Sequence, residues 1–202
     1  MPRMPKPART QRERRAETRG RLLAATQGAL VEHGYAGATT TEICRRAGVS
    51  QGALFKHFAS KGELLAATAE QLFAGLIDAY REGMPRLAGA DDRAAAAVAL
   101  LWNVFEDPRL LAAIELYGAA RTDRELARRL APVAARHGEN LHQLARELFP
   151  EAAARRPDFD ALVSVVVQAI QGATLGSLAA ADRSTFAPML ALLTDLVRKM
   201  LA

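Results

Sequence analysis

Apolar residues recur three and four positions apart along most of the chain, and almost nowhere do they alternate with period two. That spacing puts them on one face of a helix. A first helix is predicted over 10–33, with Leu22, Ala25, Ala29 and Leu30 inward and Gly34 ending it. Two short helices follow within 39–61. Thr39 and Glu42 have the spacing of a capping box for the first, and Gly48 allows the sharp turn after it. Ser50 suits the cap of the second, which buries Leu54 and Phe58. Ser60 and Glu63 predict another capping box, opening a long helix over 61–82 with Leu64, Leu65, Thr68, Leu72, Leu76 and Tyr80 inward. Gly83, Pro85 and Gly89 break the pattern. Five further helices are expected over 92–105, 108–119, 122–149, 158–180 and 184–200. Val98, Leu101, Trp102 and Phe105 should point inward from the first of these. Pro132 should kink or split the third, Pro150 and Pro157 should bracket a loop, and Asp158 and Ser184 should cap the last two. Val163 to Val167, the one β-branched cluster, lies inside a helical pattern. The fold class is therefore all-α.

The segment 39–61 carries chemistry as well as pattern. Its second short helix leaves Gln51, Gly52, Ala53, Lys56 and His57 on the face opposite the core. A helix of this size fits the major groove of DNA, with its first turn at the base edges. Gln pairs both hydrogen-bonding positions of adenine, Lys reaches guanine, and a small methyl meets the methyl of thymine. Base reading is thus expected from Gln51, Ala53 and Lys56, and Gly52 lets the backbone come close. His57 can pack, bond phosphate, or do both.

Charge sharpens this picture more than the net value of +5 does. The first 61 residues carry +8, and the remaining 141 carry −3. A polyanion at the N-terminal end is the natural partner. Arg9, Arg12, Arg14 and Arg15 are placed to add contacts to backbone or minor groove. Residues 1–12 are read as a disordered basic arm, 13–60 as a helix-turn-helix DNA-binding domain, and 61–202 as a ligand-binding and dimerisation domain. The single Cys44 rules out an internal disulfide and suits a packed thiol. No run approaches the ~18 continuous apolar residues of a membrane span, so no membrane partner is expected.

These residues also resemble a family. The basic first helix ending in Glu32-His33-Gly34-Tyr35, the Thr39-Thr40 entry, and Ile43 with Ala47-Gly48-Val49-Ser50 are similar to the tetracycline-repressor-like (TetR) family of bacterial transcription regulators. So are Gly52, Leu54, Phe55, His57-Phe58, Ser60-Lys61 and Glu63-Leu64-Leu65. The resemblance covers roughly 15–68. It implies an N-terminal three-helix DNA-binding domain followed by a C-terminal helical ligand-binding and dimerisation bundle. It also implies a repressor that binds a palindromic operator as a homodimer in the bacterial cytoplasm, nucleoid-associated when on DNA, and leaves it on binding a small-molecule effector. An activator is equally compatible. The resemblance assigns phosphate contacts to Thr40, Ser50, His57 and Lys61, with Arg45 and Arg46 as helpers. Three positions depart from the family pattern. Cys44 replaces a small alanine. Phe55 stands where tyrosine is common, so a phosphate-contacting hydroxyl is absent. Gly62 replaces a common glutamate.

One such unit reads few base pairs, so a two-fold dimer on an inverted repeat is expected. The small-residue stripe Ala169, Gly172, Ala173, Gly176 and Ala180, with Leu193, Leu196 and Val197 (and Leu190) on the last helix, is the expected dimer surface; intramolecular packing is its alternative. Trp102, Phe105, Tyr117 and His137 are the least ordinary residues on apolar faces of the middle helices and the candidate effector site. No cofactor or metal ligand set is apparent: His137 and His142 stand five apart, not three or four. No His-Glu-x-x-His, phosphate-cradling glycine loop or glycine-flanked serine elbow is present, which argues against an enzyme. A nonspecific DNA-binding protein is the remaining rival.

Overall fold

The computed structural model describes residues 10–178 and 183–202. Ten α-helices run in the order α1 (Gln11–Gly37), α2 (Thr40–Ala47), α3 (Gln51–His57), α4 (Lys61–Ala88), α5 (Arg93–Phe105), α6 (Pro108–Ala120), α7 (Arg124–Leu148), α8 (Pro150–Arg155), α9 (Phe159–Ser177) and α10 (Ala187–Leu201). A 3₁₀ turn, Arg183–Phe186, precedes α10. Among the described residues there is no strand.

Local chemistry sets the N-terminal elements. Thr10 and Glu13 form a complete capping box, so Gln11 and Arg12 are already helical rather than part of an arm. Gly34 adopts φ 66 and breaks α1 one turn before its end. Thr39 accepts from the Glu42 N–H, but the Glu42 carboxylate turns to Arg45 and Arg46 instead of closing the box. Gly48 takes φ 63, the left-handed turn that lets α3 leave α2 sharply. Ser50 caps α3 through the Ala53 N–H at 3.2 Å. At α4 the Ser60 hydroxyl accepts from the Glu63 N–H, and the Glu63 carboxylate accepts from the Ala59 N–H, one residue earlier than a capping box requires.

Leu22, Leu30, Ile43, Leu54 and Phe58 are fully buried, joined by Leu64 and Leu65 of α4. Cys44 is buried and free, as a packed thiol. Through α4 this core continues into the bundle, where α4 lies along α7 and against α5 and α6. Leu126, Leu130, Leu141 and Leu144 of α7 are buried, as the helical period requires.

The later boundaries shift where proline chemistry was misleading. α4 continues through Gly83 and Pro85 to Ala88. α7 is one helix through Pro132, which lies on its exposed side. Pro150 starts the short helix α8, not a loop, because proline fits the first helical turn where no N–H is needed. Asp158 makes no side-chain cap, and α10 starts after Phe186 with Pro188 in its first turn rather than from a Ser184 cap. By length and mean hydropathy (1.4) α9 is long and apolar enough to cross a membrane. Its Val163, Val166, Val167 and Ile170 are core residues of the bundle.

Candidate nucleic-acid interface and effector cavity

Helix α3 is held from behind by Leu54 and Phe58 and presents Gln51, Gly52, Phe55 and Lys56 outward. Phe55 is 48% exposed, a large apolar side chain spent on the surface. Ala53 and His57 are half-buried. The Gln51 amide donates to the Thr41 hydroxyl at 3.0 Å, which fixes where the side chain sits before any partner arrives. Thr41 was not anticipated; its only sequence signal is an exposed hydroxyl in the first turn of α2.

The cations around α3 differ sharply in availability. Arg46 is consumed internally: its guanidinium holds Glu32 at 2.7 Å and Glu42 at 2.5 Å and lies 2.9 Å from His33 Nε2. The Glu32 bond first, then Glu42, holds Arg46 well above its ordinary pKa. Its expected helper role at phosphates does not fit that burial, with only 17% of the side chain exposed. Arg45 projects outward, 70% exposed, while still chelating Glu42 at 2.7 Å. Hydrogen bonds from Arg45 and then Arg46 pull the Glu42 carboxyl down to about 2. Lys61 is half-buried; its ammonium lies 4.6 Å from the centre of the Tyr35 ring, and burial lowers its pKa against the pull of Asp123. Thr40 is half-buried and Ser50 is exposed at the α3 N-terminus.

Burial, then Arg15 and Arg19, hold the His57 imidazole below its ordinary value. Both arginines stand on α1. Arg19 lies 4.4 Å over the Phe58 ring. Arg19 is a functional candidate the sequence reading passed over, although its i, i+4 relation to Arg15 put both on one face. Arg9 lies outside the described residues.

The junction between α3 and the bundle is polar. The Tyr35 N–H donates to Glu115 of α6 at 2.8 Å, and the Tyr35 hydroxyl donates to Asp123 at 3.1 Å. The Ser60 hydroxyl donates to Glu125 at 2.6 Å. Gly62 faces the Glu125 and Arg129 side chains of α7, which lie 3.4–3.5 Å from where its Cβ would be, an ordinary contact distance.

In the bundle, α4, α5, α6, α7 and α9 line a cavity of about 450 Å³. Phe105, Tyr117 and His137 line it, with Phe73. His137 stacks on Phe73 at 4.1 Å, and Phe73 on Tyr117 at 6.1 Å. Burial holds the His137 imidazole down to about 4 and pushes the Tyr117 hydroxyl up to about 12, so both are neutral near pH 7. Trp102 does not join this cavity; it packs 6.3 Å from Phe186.

The anticipated dimer surface divides. Ala173, Leu193 and Val197 are buried within the protomer, and Ala169, Leu190 and Leu196 are half-buried against its core. Gly172 and Gly176 are exposed; Ala180 lies outside the described residues. The free apolar surface of the same helices is instead Val165 (53% exposed), Leu175 (42%) and Leu178 (64%) from α9 and its end, and Leu192 (70%) on α10.

A capped, outward-facing second helix after a left-handed glycine turn, set on an all-α bundle with a cavity, defines a helix-turn-helix protein of the DNA-binding class. Residues 22–68 match the model of the bacterial regulatory proteins of the tetR family. The chain is 33% identical over 168 residues to an uncharacterized HTH-type transcriptional regulator of Mycobacterium tuberculosis, covering 83% of this chain and 86% of that one. It is 30% identical over 178 residues to the HTH-type transcriptional regulator CymR of Pseudomonas putida, covering 88% of each. Among solved structures, a TetR transcription regulator from Haloarcula marismortui shares the fold with TM-score 0.70 at 19% identity, over 93% of this chain and all of that one. The multidrug binding protein EbrR complexed with ethidium matches with TM-score 0.63 at 25% identity, over 88% of this chain and 98% of that one. The chain belongs to the TetR family of bacterial transcriptional regulators.

Proposed function

We propose that this regulator is a repressor that binds a palindromic operator as a homodimer in the bacterial cytoplasm and is released by a small-molecule effector. The observation that carries the DNA reading is the placement of Gln51, Gly52, Phe55 and Lys56 on the free face of a rigidly capped α3. Gln51, Ala53 and Lys56 read bases. Thr40, Ser50, His57, Lys61 and Arg45 approach phosphates, with Arg15 and Arg19 beside them. The half-buried His57, its imidazole held below its ordinary value by burial and then by Arg15 and Arg19, serves as a hydrogen-bond donor. For Lys61, phosphate competes with the Tyr35 ring.

Val165, Leu175, Leu178 and Leu192 support the dimer, since exposed apolar groups on adjacent helices gain by burial against a second copy. The cavity lined by Phe105, Tyr117 and His137 supports an effector, as does the ethidium complex of EbrR. Release requires that the effector bind the non-operator geometry more tightly; equal affinity for both states shifts nothing. The test is the affinity for a selected duplex against random duplex at matched salt, read by fluorescence anisotropy. A ratio of at least ~10³ is expected of a specific regulator. A ratio near one removes the reading.

A further inference from the structure

The cavity's lining specifies more than its presence. Among the described residues, no carboxylate, ammonium or guanidinium lines it. Its walls are aromatic and aliphatic on the α4, α5 and α6 side, apart from the Tyr117 hydroxyl, and carry imidazole, hydroxyl and amide groups on the α7 and α9 side. Several of those polar groups have no protein partner among the described residues. His137 Nδ1 is buried without a hydrogen bond. The Tyr117 hydroxyl and the half-buried Gln171 amide line the same space, also without hydrogen bonds among the described residues, and the exposed Gln168 stands at its rim. His142 and Ser164 are paired instead. The Ser164 hydroxyl donates its one proton to the Asp160 carbonyl at 2.9 Å, so it accepts from His142 Nε2–H at 2.8 Å. That hydrogen bond fixes which way the His142 ring faces.

Such a site discriminates by charge. A buried ion without a counter-charge is heavily penalised, whereas a neutral polar ligand is repaid by hydrogen bonds to groups otherwise left open. The stacked layer of His137, Phe73 and Tyr117 adds a flat aromatic wall. We propose that this cavity takes an uncharged, planar aromatic molecule of one or two rings bearing a hydroxyl or carbonyl group, held by Tyr117, His137 and the Gln171 amide. This inference rests on the effector reading above and narrows it to a ligand class.

The test uses the full chain and three probes of one shape at pH 7: 2-naphthol, 2-naphthoate and 2-naphthylmethylammonium, each titrated by calorimetry. The neutral probe is expected to bind at least ~30-fold more tightly than either ion, the discrimination an unpaired buried charge imposes. Tyr117→Phe or Gln171→Leu should weaken it by about five-fold each, the worth of one hydrogen bond. Gly138 lines the cavity, and a Cβ there meets nothing within 4 Å, so Gly138→Leu should keep its helicity and lose naphthol binding. Binding that survives Gly138→Leu, an ion that binds as tightly as naphthol, or failure of all three probes overturns the proposal. The effector reading is scored separately on the operator duplex. A charged probe that binds more tightly and releases DNA upholds the effector role and defeats the ligand class. Naphthol that binds with the stated selectivity but leaves operator affinity unchanged upholds the class and counts against the effector role.

Discussion

Gln51 is tied to Thr41 before DNA is present, so its amide is oriented at the N-terminal end of α3, where base edges are reached. Gln51→Ala should relax preference at one position per half-site, costing roughly 1–3 kcal/mol there. Selection from randomised duplexes checks this; an equally sharp, identical site would exclude the assignment. His137 gives a second residue-scale prediction. Its folded pKa is lowered by burial, so the neutral form is favoured in the folded state, and the unfolded chain takes up the proton first as pH falls. The stabilisation is fully present above the unfolded value near 6.5 and is lost toward about 4. Its loss amounts to roughly 2–3 kcal/mol. Urea midpoints at pH 7 and pH 4 should therefore diverge less in His137→Phe than in the unaltered protein. The residue-level roles that patterning revealed were those set by helical period: Leu54 inward, Gln51 and Lys56 outward. The pairing of Arg46 with Glu32 was not legible, because Glu32 lies fourteen residues away on another helix and nothing local announces it.

At the scale of elements, α1 to α4 were legible because caps, glycine turns and apolar period act within a few residues. The two left-handed glycines are not equivalent. Gly48 has open space around a Cβ, so Gly48→Ala should cost only the dihedral strain of about 1–2 kcal/mol. Gly34 combines φ 66 with a Glu115 oxygen 2.8 Å from its Cβ position, so Gly34→Ala should lower the denaturation midpoint further than Gly48→Ala. Equal midpoints would show that the Glu115 carboxylate moves aside at no cost. Prolines misled the later boundaries, since one residue type starts α8 and is carried inside α4 and α7. Context distinguishes these uses: an exposed helix face supplies water to a carbonyl left without its N–H. The dimer stripe was ambiguous for a related reason. Residues three and four apart cover a broad arc, and only packing tells which side of α9 the protomer itself consumes.

For the molecule as a whole, α6 joins the two ends. It brings Ile114 and Tyr117 to the cavity and Glu115 to the backbone of Tyr35, beside the Lys61 seat. α7 carries His137 and also Glu125, which receives Ser60. Neither connection was visible in sequence, because each spans 65 to 80 residues. Dimerisation is where this scale is most exposed to test. Leu192→Glu and Leu178→Glu should shift sedimentation from dimer to monomer and reduce operator affinity while helicity is kept. Leu193→Ala, by contrast, removes a buried core side chain and should lower protomer stability by about 2–5 kcal/mol. A dimer that survives both glutamate changes would place the subunit contact elsewhere.

The most direct measurement is a selection of bound duplexes from a random library at physiological salt, followed by footprinting on the winning sequence. An inverted repeat should dominate, protected symmetrically, with half-site centres one helical turn (about 34–36 Å) or a multiple apart. A library that emerges unenriched, or protection that is the same on every fragment, would contradict the claim that α3 reads DNA.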